Sequence, residues 1–254
     1  MKYSKKVFLF ILIMLSVFLL SSCKIRFNFD PTAYKNRLIT SGDFKYLIYK
    51  SDGNEFVYIM ELSEEGLKKD TIVIPSTIDG KKVSSLGGGI GLFLKKKRCY
   101  LANVKNIYFT SDCTINNYID VINNNSDLNL YAPYFSFYSE INVDVLKTAN
   151  KYVSFENYNQ RILNNMNDCI PANVSYCIEN SIYFVDDCDG TVVNVIPPNP
   201  VKEGNRFDGW YKDNEFNEKW DFEIDIVPPK QYDEDCNYIY QETSIYAKFT
   251  YIGE

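Results

Sequence analysis

The side chains able to do chemistry in this chain are carboxylates and thiols, because its 254 residues include seven cysteines and no histidine. Without histidine, neither a Ser-His-Asp triad nor a histidine-activated cysteine can form. No C-x-x-C pair occurs, so the usual zinc patterns and the thioredoxin-like redox motif are absent. Carboxylates are plentiful, but no two stand out in a pocket-forming context. We expect no enzyme, no cofactor and no metal site; a hydrolase acting through carboxylates is the weaker alternative.

Cys23 is the thiol whose surroundings point to one particular modification. Three lysines precede an apolar run over residues 7–20, broken only by Ser16, which leads into the sequence LSSC at 20–23. The run is too short to cross a bilayer comfortably, since a spanning helix needs about 20 apolar residues. A positive segment followed by such a run is typical of a signal peptide.

The LSSC segment resembles the lipobox of bacterial lipoproteins, in which cleavage leaves the cysteine as the new N terminus. The resemblance implies a signal peptide over 1–22 and a diacylglyceryl group on the sulfur of Cys23. Each buried CH2 of such a chain adds about 0.8 kcal/mol of membrane affinity. We therefore expect an extracytoplasmic protein whose membrane contact is the lipidated Cys23. An uncleaved anchor or a secretory signal with a chance cysteine is the alternative.

The other cysteines are even in number, and the expected compartment allows disulfides to persist. Spacing does not reveal their pairing, and structural bridges and inert buried thiols both stay open. These cysteines are Cys99, Cys113, Cys169, Cys177, Cys188 and Cys236.

The acidic balance of the chain, with a formal net charge of −6, speaks against nucleic acid as a partner. Phosphate neutralisation requires concentrated lysine and arginine. Loss of the leader with its lysines would make the mature protein more acidic still.

The elements after the leader are mainly β-like. Residues 23–42 read as a tether, and 43–166 as a first domain. The runs FKYLIYK (44–50) and EFVYIMEL (55–62) flank the turn sequence SDGN and predict a hairpin.

Residues 69–87 are similar to the BspA-like leucine-rich repeats of bacterial surface proteins. The units of this family stack on one another, and each thereby buries one apolar face. The matching positions are Ile72, Ile74, Pro75, Ile78, Gly80, Val83, Leu86 and Gly87. A short array needs a cover at its end. Helical spacing over 154–166 predicts a covering helix with one apolar face, made of Phe155, Tyr158, Ile162 and Met166.

The C-terminal part is predicted as a linker over 167–178 and a domain over 179–254. SIYFVD (181–186) and TVVNVI (191–196) flank an Asp-Gly pair and predict a second hairpin.

Residues 181–249 resemble the Listeria–Bacteroides repeat, the B-repeat of internalins. The matching positions are Pro200, Lys202, Gly204, Phe207, Gly209, Trp210, Tyr211, Asp213, Trp220, Asp221, Phe222, Tyr246, Ala247 and Lys248. The segment 223–243 is longer than the usual connection. The resemblance implies a small ubiquitin-like β-grasp fold and a spacer or interaction role. The expected fold class is mainly β with minor α (α+β), with a leucine-rich-repeat-like array before a β-grasp domain.

Both tryptophans of the chain, Trp210 and Trp220, fall in this last segment. A domain of about 70 residues needs its few large side chains for its core, which favours burial of both indoles. The alternative is stacking on a glycan. The predicted core of the repeat is Phe207, Gly209, Trp210, Tyr211, Trp220, Phe222 and Tyr246.

Taken together, these features predict a lipid-anchored, non-enzymatic surface protein acting in adhesion or in protein or cell-wall interaction. A glycan-binding surface module with exposed aromatic rings is the alternative. The protein or glycan ligand is not identified by any motif.

Overall fold

The structure, a computed structural model, describes residues 37–86, 104–110, 128–133, 151–154 and 169–253. These residues form sixteen strands, and the single 3-10 turn Gly66–Lys68 is the only helical element among them. Residues 38–254 make up one compact unit. Within the described ranges, no helix has the length and apolar character needed to cross a bilayer.

The strands are named in chain order. They are β1 Ile39–Ser41, β2 Phe44–Ser51, β3 Asn54–Leu62, β4 Thr71–Ile74, β5 Thr77–Ile78, β6 Lys81–Leu86, β7 Asn106–Phe109, β8 Asn129–Ala132, β9 Lys151–Ser154, β10 Cys169–Pro171, β11 Val174–Ile178, β12 Ser181–Asp186, β13 Asn205–Tyr211, β14 Gln231–Tyr232, β15 Tyr238–Ile239 and β16 Thr243–Tyr251.

The first sheet has the strand order β1-β2-β3-β6-β5. Its centre is the antiparallel pair of β2 and β3, which confirms the predicted hairpin. The turn places Asp52 at φ 50° and Gly53 at φ 80°. Two successive residues with positive φ make the tight turn that matches the twist of a hairpin, and aspartate followed by glycine is its favoured sequence. The buried side chains of these two strands include Phe44, Tyr46 and Val57.

The second sheet is a ladder of five parallel strands in the order β10-β9-β8-β7-β4. Equivalent strand starts are joined by polar side chains: Asn129 Nδ2 donates to Asn106 Oδ1 at 2.8 Å, and Asn106 Nδ2 donates to Thr71 Oγ1 at 3.1 Å. Inside the ladder, Ile107 and Leu130 are buried at matched register. Neighbouring strands of the ladder thus bury aliphatic side chains side by side.

The predicted α+β fold with a covering helix is wrong. The protein is mainly β, and the described residues contain no helix of seven or more residues. The residues proposed for that helix, Phe155, Tyr158, Ile162 and Met166, lie outside the described residues. The apolar face of the ladder is instead covered by strands. β10 extends the ladder beyond β9, and β12 of the C-terminal part packs against β7, β8 and β9.

The third sheet has the order β12-β11-β16-β13. β11 and β16 run parallel at its centre, while β12 and β13 pair antiparallel on the outside. A ubiquitin-like β-grasp fold would place a helix across such a sheet, and residues 169–253 contain none. The segment between β12 and β13 is irregular instead, and its prolines at 197, 198 and 200 cannot donate backbone hydrogen bonds.

Two strands lie inside the segment that the sequence predicts as a linker. β10 and β11 are separated only by Ala172 and Asn173, and they belong to the second and third sheets. The two sheets share one continuous core, since Tyr108 and Val153 cluster with Phe184 and Trp210.

The predicted hairpin between 181–186 and 191–196 is also wrong in its second half. β12 pairs with β11 around a turn at Glu179 and Asn180, and 191–196 forms no strand. The reason is a side-chain competitor: the backbone N–H of Asn194 donates to Asp186 Oδ2 at 2.7 Å. A backbone group bonded to a carboxylate is not available for a strand ladder.

Candidate functional site

The two tryptophans lie in the core of the C-terminal part. Trp210 is 3% exposed and Trp220 is 7% exposed. The backbone N–H of Trp220 donates to the carbonyl of Trp210 at 2.8 Å, which fixes the two segments side by side. Neither indole Nε1–H has a hydrogen-bond partner. These rings act by packing, and neither face is available to stack on a glycan.

Four aromatic rings form the centre of this core. The ring of Trp210 meets Tyr176 edge to face at 5.2 Å between centroids and Phe207 at 5.4 Å. Tyr183 lies more nearly parallel to it at 6.2 Å. Edge-to-face pairs of this kind stabilise a core by about 0.5–1.5 kcal/mol beyond the area that they bury. Phe222, also in the predicted core, is partly buried against the same cluster.

Gly209 has a conformation that other residues avoid, with φ at 136°. A β-carbon at this position would lie 2.6 Å from Cε of Lys219. The strand register also shifts between Phe207 and Gly209 where β13 pairs with β16. Glycine therefore permits both the irregularity in β13 and the passage of the Lys219 side chain across it.

Tyr211 and Tyr246 are half-buried and lie on the opposite face of the sheet from Trp210. They are cross-strand partners on β13 and β16, where alternate residues face opposite sides. On this outer face, Lys248 Nζ lies 5.1 Å from the ring centroid of Tyr211 and 5.7 Å from that of Phe216. On the outer face of the repeat, the ammonium group of Lys248 is therefore within cation–π range of two rings.

A buried carboxylate joins the parallel ladder to the C-terminal sheet. Asp186, at the end of β12, is fully buried. Its Oδ1 accepts hydrogen bonds from Tyr108 Oη at 3.0 Å and Asn194 Nδ2 at 3.0 Å, and Asp187 N donates to it at 2.9 Å. With Asn194 N on Oδ2, four neutral donors surround the carboxylate. Buried charge is tolerated only with such satisfaction of its lone pairs.

The aromatic rings next to this carboxylate belong to both sheets. Tyr108 and Tyr131 stack at 4.0 Å between centroids with an interplanar angle of 8°, and Tyr108 lies 5.3 Å from Phe184. Burial, assisted by the charge of Asp186, raises the pKa of Tyr108 far above its usual value. Burial likewise raises the pKa of Tyr131 to about 12. Both phenols stay protonated at neutral pH, and that of Tyr108 donates to Asp186.

The described thiols differ in their exposure. Cys177, Cys188 and Cys236 are free, being respectively half-buried, buried and exposed. Burial, together with the charge of Asp186, raises the pKa of Cys188, which keeps it as an unreactive thiol. Cys99, Cys113 and the side chain of Cys169 lie outside the described residues.

The predicted lipidation site, Cys23, also lies outside the described residues. Elsewhere, no group of three or more acidic or cysteine side chains within the described ranges is arranged to hold a metal ion.

A two-stranded hairpin of β14 and β15 carries a cluster of tyrosines, of which Tyr232 and Tyr240 are exposed and Tyr238 is half-buried. Tyr232 and Tyr238 are cross-strand partners with ring centroids 5.9 Å apart. Tyr240, two residues further along, lies 6.2 Å from Tyr238. We call Tyr232, Tyr238 and Tyr240 the tyrosine face. Motif reading missed it, although the length of 223–243 was the signal that marked this segment as unusual.

The tyrosine face is held by polar anchors at its base. Lys230 Nζ lies 2.6 Å from Asp187 Oδ1, with the lysine side chain 15% exposed and the aspartate 3%. Burial alone would lower the pKa of Lys230, but the ion pair with Asp187 raises it. The backbone N–H of Lys230 donates to Asp189 Oδ1 at 2.8 Å, and Tyr240 Oη donates to the carbonyl of Ala172 at 2.9 Å.

The tip of the hairpin is acidic and ordered by its own side chains. Asp233 Oδ1 accepts from the backbone N–H of Asp235 at 3.0 Å and of Asn237 at 2.7 Å, while Asn237 Nδ2 donates to Oδ2 at 3.0 Å. These hydrogen bonds, first of all those from Asn237, lower the pKa of Asp233. Asp233 therefore shapes the turn, and Glu234 and Asp235 project into solvent.

Comparison with known proteins gives a match for one segment, which includes both tryptophans. A search of curated proteins finds no match to this chain. Residues 185–248, which run from the end of β12 into β16, match the Listeria-Bacteroides repeat domain family.

Proposed function

We propose that this chain is a lipid-anchored cell-surface protein that acts, without catalysis, in adhesion or in protein or cell-wall interaction. The observation that carries the proposal is the match of residues 185–248 to the Listeria-Bacteroides repeat domain. The packing of that segment supports it. Trp210 and Trp220 stabilise the repeat, while the exposed tyrosine face leaves a surface on which a partner can dock.

The proposed anchor is supported by the N-terminal sequence. Three lysines, an apolar run over 7–20 and LSSC at 20–23 together make a lipoprotein leader. Two acyl chains, or one chain and a second attachment, hold a protein firmly to a bilayer, whereas one chain gives marginal binding.

The parallel ladder is proposed to belong to the BspA-like leucine-rich repeats that it resembles in sequence. Its support is the stacking of short parallel strands that share buried aliphatic positions, such as Ile107 beside Leu130. Stacked units of this kind present extended surfaces for binding.

The anchor is tested by metabolic labelling with an alkyne analogue of palmitate, followed by membrane fractionation and protease shaving of intact cells. We expect label on the full chain, sedimentation with membranes and cleavage by external protease. Cys23→Ser is expected to abolish the label, and Cys236→Ser, which removes an exposed thiol instead, is the matched control. An unlabelled chain in the cytosol, or label that survives Cys23→Ser, would overturn the proposal.

The second candidate function is glycan binding. Burial of Trp210 and Trp220 leaves the tyrosine face as the surface for stacking on sugar rings, and Tyr232 is 57% exposed there. Titration of the purified protein with neutral oligosaccharides tests this candidate.

A further inference from the structure

The tyrosine face is an aromatic surface that is largely accessible to solvent. Tyr232 and Tyr238 sit opposite each other on β14 and β15, and Tyr240, just beyond the end of β15, has its ring centroid 6.2 Å from that of Tyr238. Tyr232 is 57% exposed and Tyr240 is 46% exposed. Such surfaces on soluble proteins mark interaction sites when several apolar groups are contiguous.

The hairpin is positioned by the core. Just before the hairpin, Lys230 forms a buried ion pair with Asp187. Just after it, the hydroxyl of Tyr240 donates a hydrogen bond to the carbonyl of Ala172. Asp233 fixes the turn between the strands. A surface ordered in this way loses little conformational freedom on binding, which favours affinity.

The segment that carries the tyrosine face is acidic. Residues 231–242 contain four acidic side chains and neither lysine nor arginine. The four are Asp233, Glu234, Asp235 and Glu242. Lys230, which directly precedes this segment, is 15% exposed and forms an ion pair with Asp187. A docking partner therefore meets negative potential and exposed ring faces together.

One ring of the tyrosine face, that of Tyr238, already contacts a cation of the same chain. Lys230 Nζ lies 5.7 Å from the ring centroid of Tyr238, which is within the range of a cation–π contact. Sugar stacking calls for a flat platform, but the rings of Tyr232 and Tyr238 are tilted by 49°, and those of Tyr238 and Tyr240 by 81°. The geometry and the charge favour a cationic ligand over a neutral glycan.

We propose that the tyrosine face and its acidic tip bind a lysine- or arginine-bearing segment of a partner protein. The cationic heads would lie against the exposed ring of Tyr232 and beside Glu234 and Asp235. This inference rests on the proposed interaction function and adds the chemistry of the partner to it.

The test uses the full chain in a nonionic detergent and a fluorescently labelled octalysine peptide, with affinity measured by anisotropy. We expect binding that weakens at least about tenfold between about 0.1 M and about 1 M salt, because the Debye length falls from about 10 Å to about 3 Å. Octaglutamate and cellohexaose are expected not to bind.

Matched variants separate this site from general attraction to an acidic protein. Glu234→Gln with Asp235→Asn is expected to weaken binding about fivefold at low salt, whereas Glu203→Gln with Glu223→Gln, the same charge change elsewhere, leaves it within about twofold. Tyr232→Phe keeps the ring and the affinity. Tyr232→Leu keeps an apolar group but loses about threefold, and Tyr251→Ala is the control for an exposed ring elsewhere.

Equal loss in both pairs of acidic variants, or full affinity in Tyr232→Leu, would overturn the proposed site. Binding of cellohexaose with no binding of octalysine would assign the face to glycans instead. Neither result bears on the acylation of Cys23, so failure of this inference is distinguishable from failure of the proposed surface anchor.

Discussion

The phenolic oxygen of Tyr108 donates a hydrogen bond to Oδ1 of Asp186 at 3.0 Å, and this contact joins the parallel ladder to the C-terminal sheet. The donor belongs to β7 and the acceptor to β12, and both side chains are buried. An interface that contains a charge without a cationic partner depends on each of its donors, because an unsatisfied buried carboxylate is costly.

Tyr108→Phe is expected to lower the free energy of unfolding by about 1–3 kcal/mol, since it leaves Asp186 with one donor fewer in a buried site. Urea denaturation followed by circular dichroism measures the change. Tyr49→Phe is the control, because Tyr49 stacks on Tyr58 at the surface and its ring would stay in place. Equal stability of Tyr108→Phe and wild type would show that the contact does not hold the sheets together.

Trp210→Ala is expected to cost about 3–5 kcal/mol, because it removes a ring that is packed against Tyr176, Phe207 and Tyr183. The loss is measured by chemical denaturation. In the folded wild type, tryptophan emission should be blue-shifted and unchanged by added oligosaccharide. A red-shifted native spectrum that responds to sugars would contradict the burial of the indoles.

Gly209→Ala is expected to destabilise the protein by about 1–3 kcal/mol, because φ at 136° is a conformation that alanine rarely adopts. The added β-carbon would also meet the side chain of Lys219. Adding Lys219→Ala to Gly209→Ala removes the steric contact but not the backbone strain. Thermal unfolding of both variants separates the two causes, and full recovery in the double variant would leave the clash as the sole cause.

Stability is expected to fall in strong alkali. The pKa of Tyr131 rises from 10.0 to about 12 in the fold through burial, and that of Tyr46 rises to about 12 through burial and then the nearby Asp79. Because both folded pKa values exceed the unfolded value, their stabilisation is complete below pH 10.0 and is lost as the pH rises through about 12.

Tyrosinate absorbance recorded together with near-ultraviolet circular dichroism checks this alkaline transition. Exposed tyrosines such as Tyr251 should ionise before tertiary structure is lost. The buried tyrosines should ionise only with unfolding, and one smooth titration of all tyrosines in a folded protein would contradict the prediction.

The parts of the fold that were predicted correctly from sequence are those that depend on short-range patterns. Asp52 and Gly53 between two β-prone runs specified the first hairpin, and the spacing around Trp210 and Trp220 identified the Listeria-Bacteroides repeat. Each depends on residues close together in the chain, where turn chemistry and strand alternation act directly.

The failures came from long-range contacts. The partner of β12 was assigned to 191–196, but the carboxylate of Asp186 bonds the backbone there and β11 pairs instead. Helical spacing over 154–166 predicted a helix as the cover of the ladder, and no local pattern indicated that Phe184 packs against Tyr108. The tyrosine face is a local feature, but it matches no motif and depends on the register that makes Tyr232 and Tyr238 partners on β14 and β15.

The parallel pairing of β11 with β16 has a mechanical consequence. In chain order these are the first and last strands of the third sheet, although in space they lie side by side at its centre and run in the same direction. Tension that enters at the start of β11 and leaves at the end of β16 pulls the two strands past each other. Every hydrogen bond between them then bears load at once, so this sheet resists stretching far better than one that can unzip bond by bond.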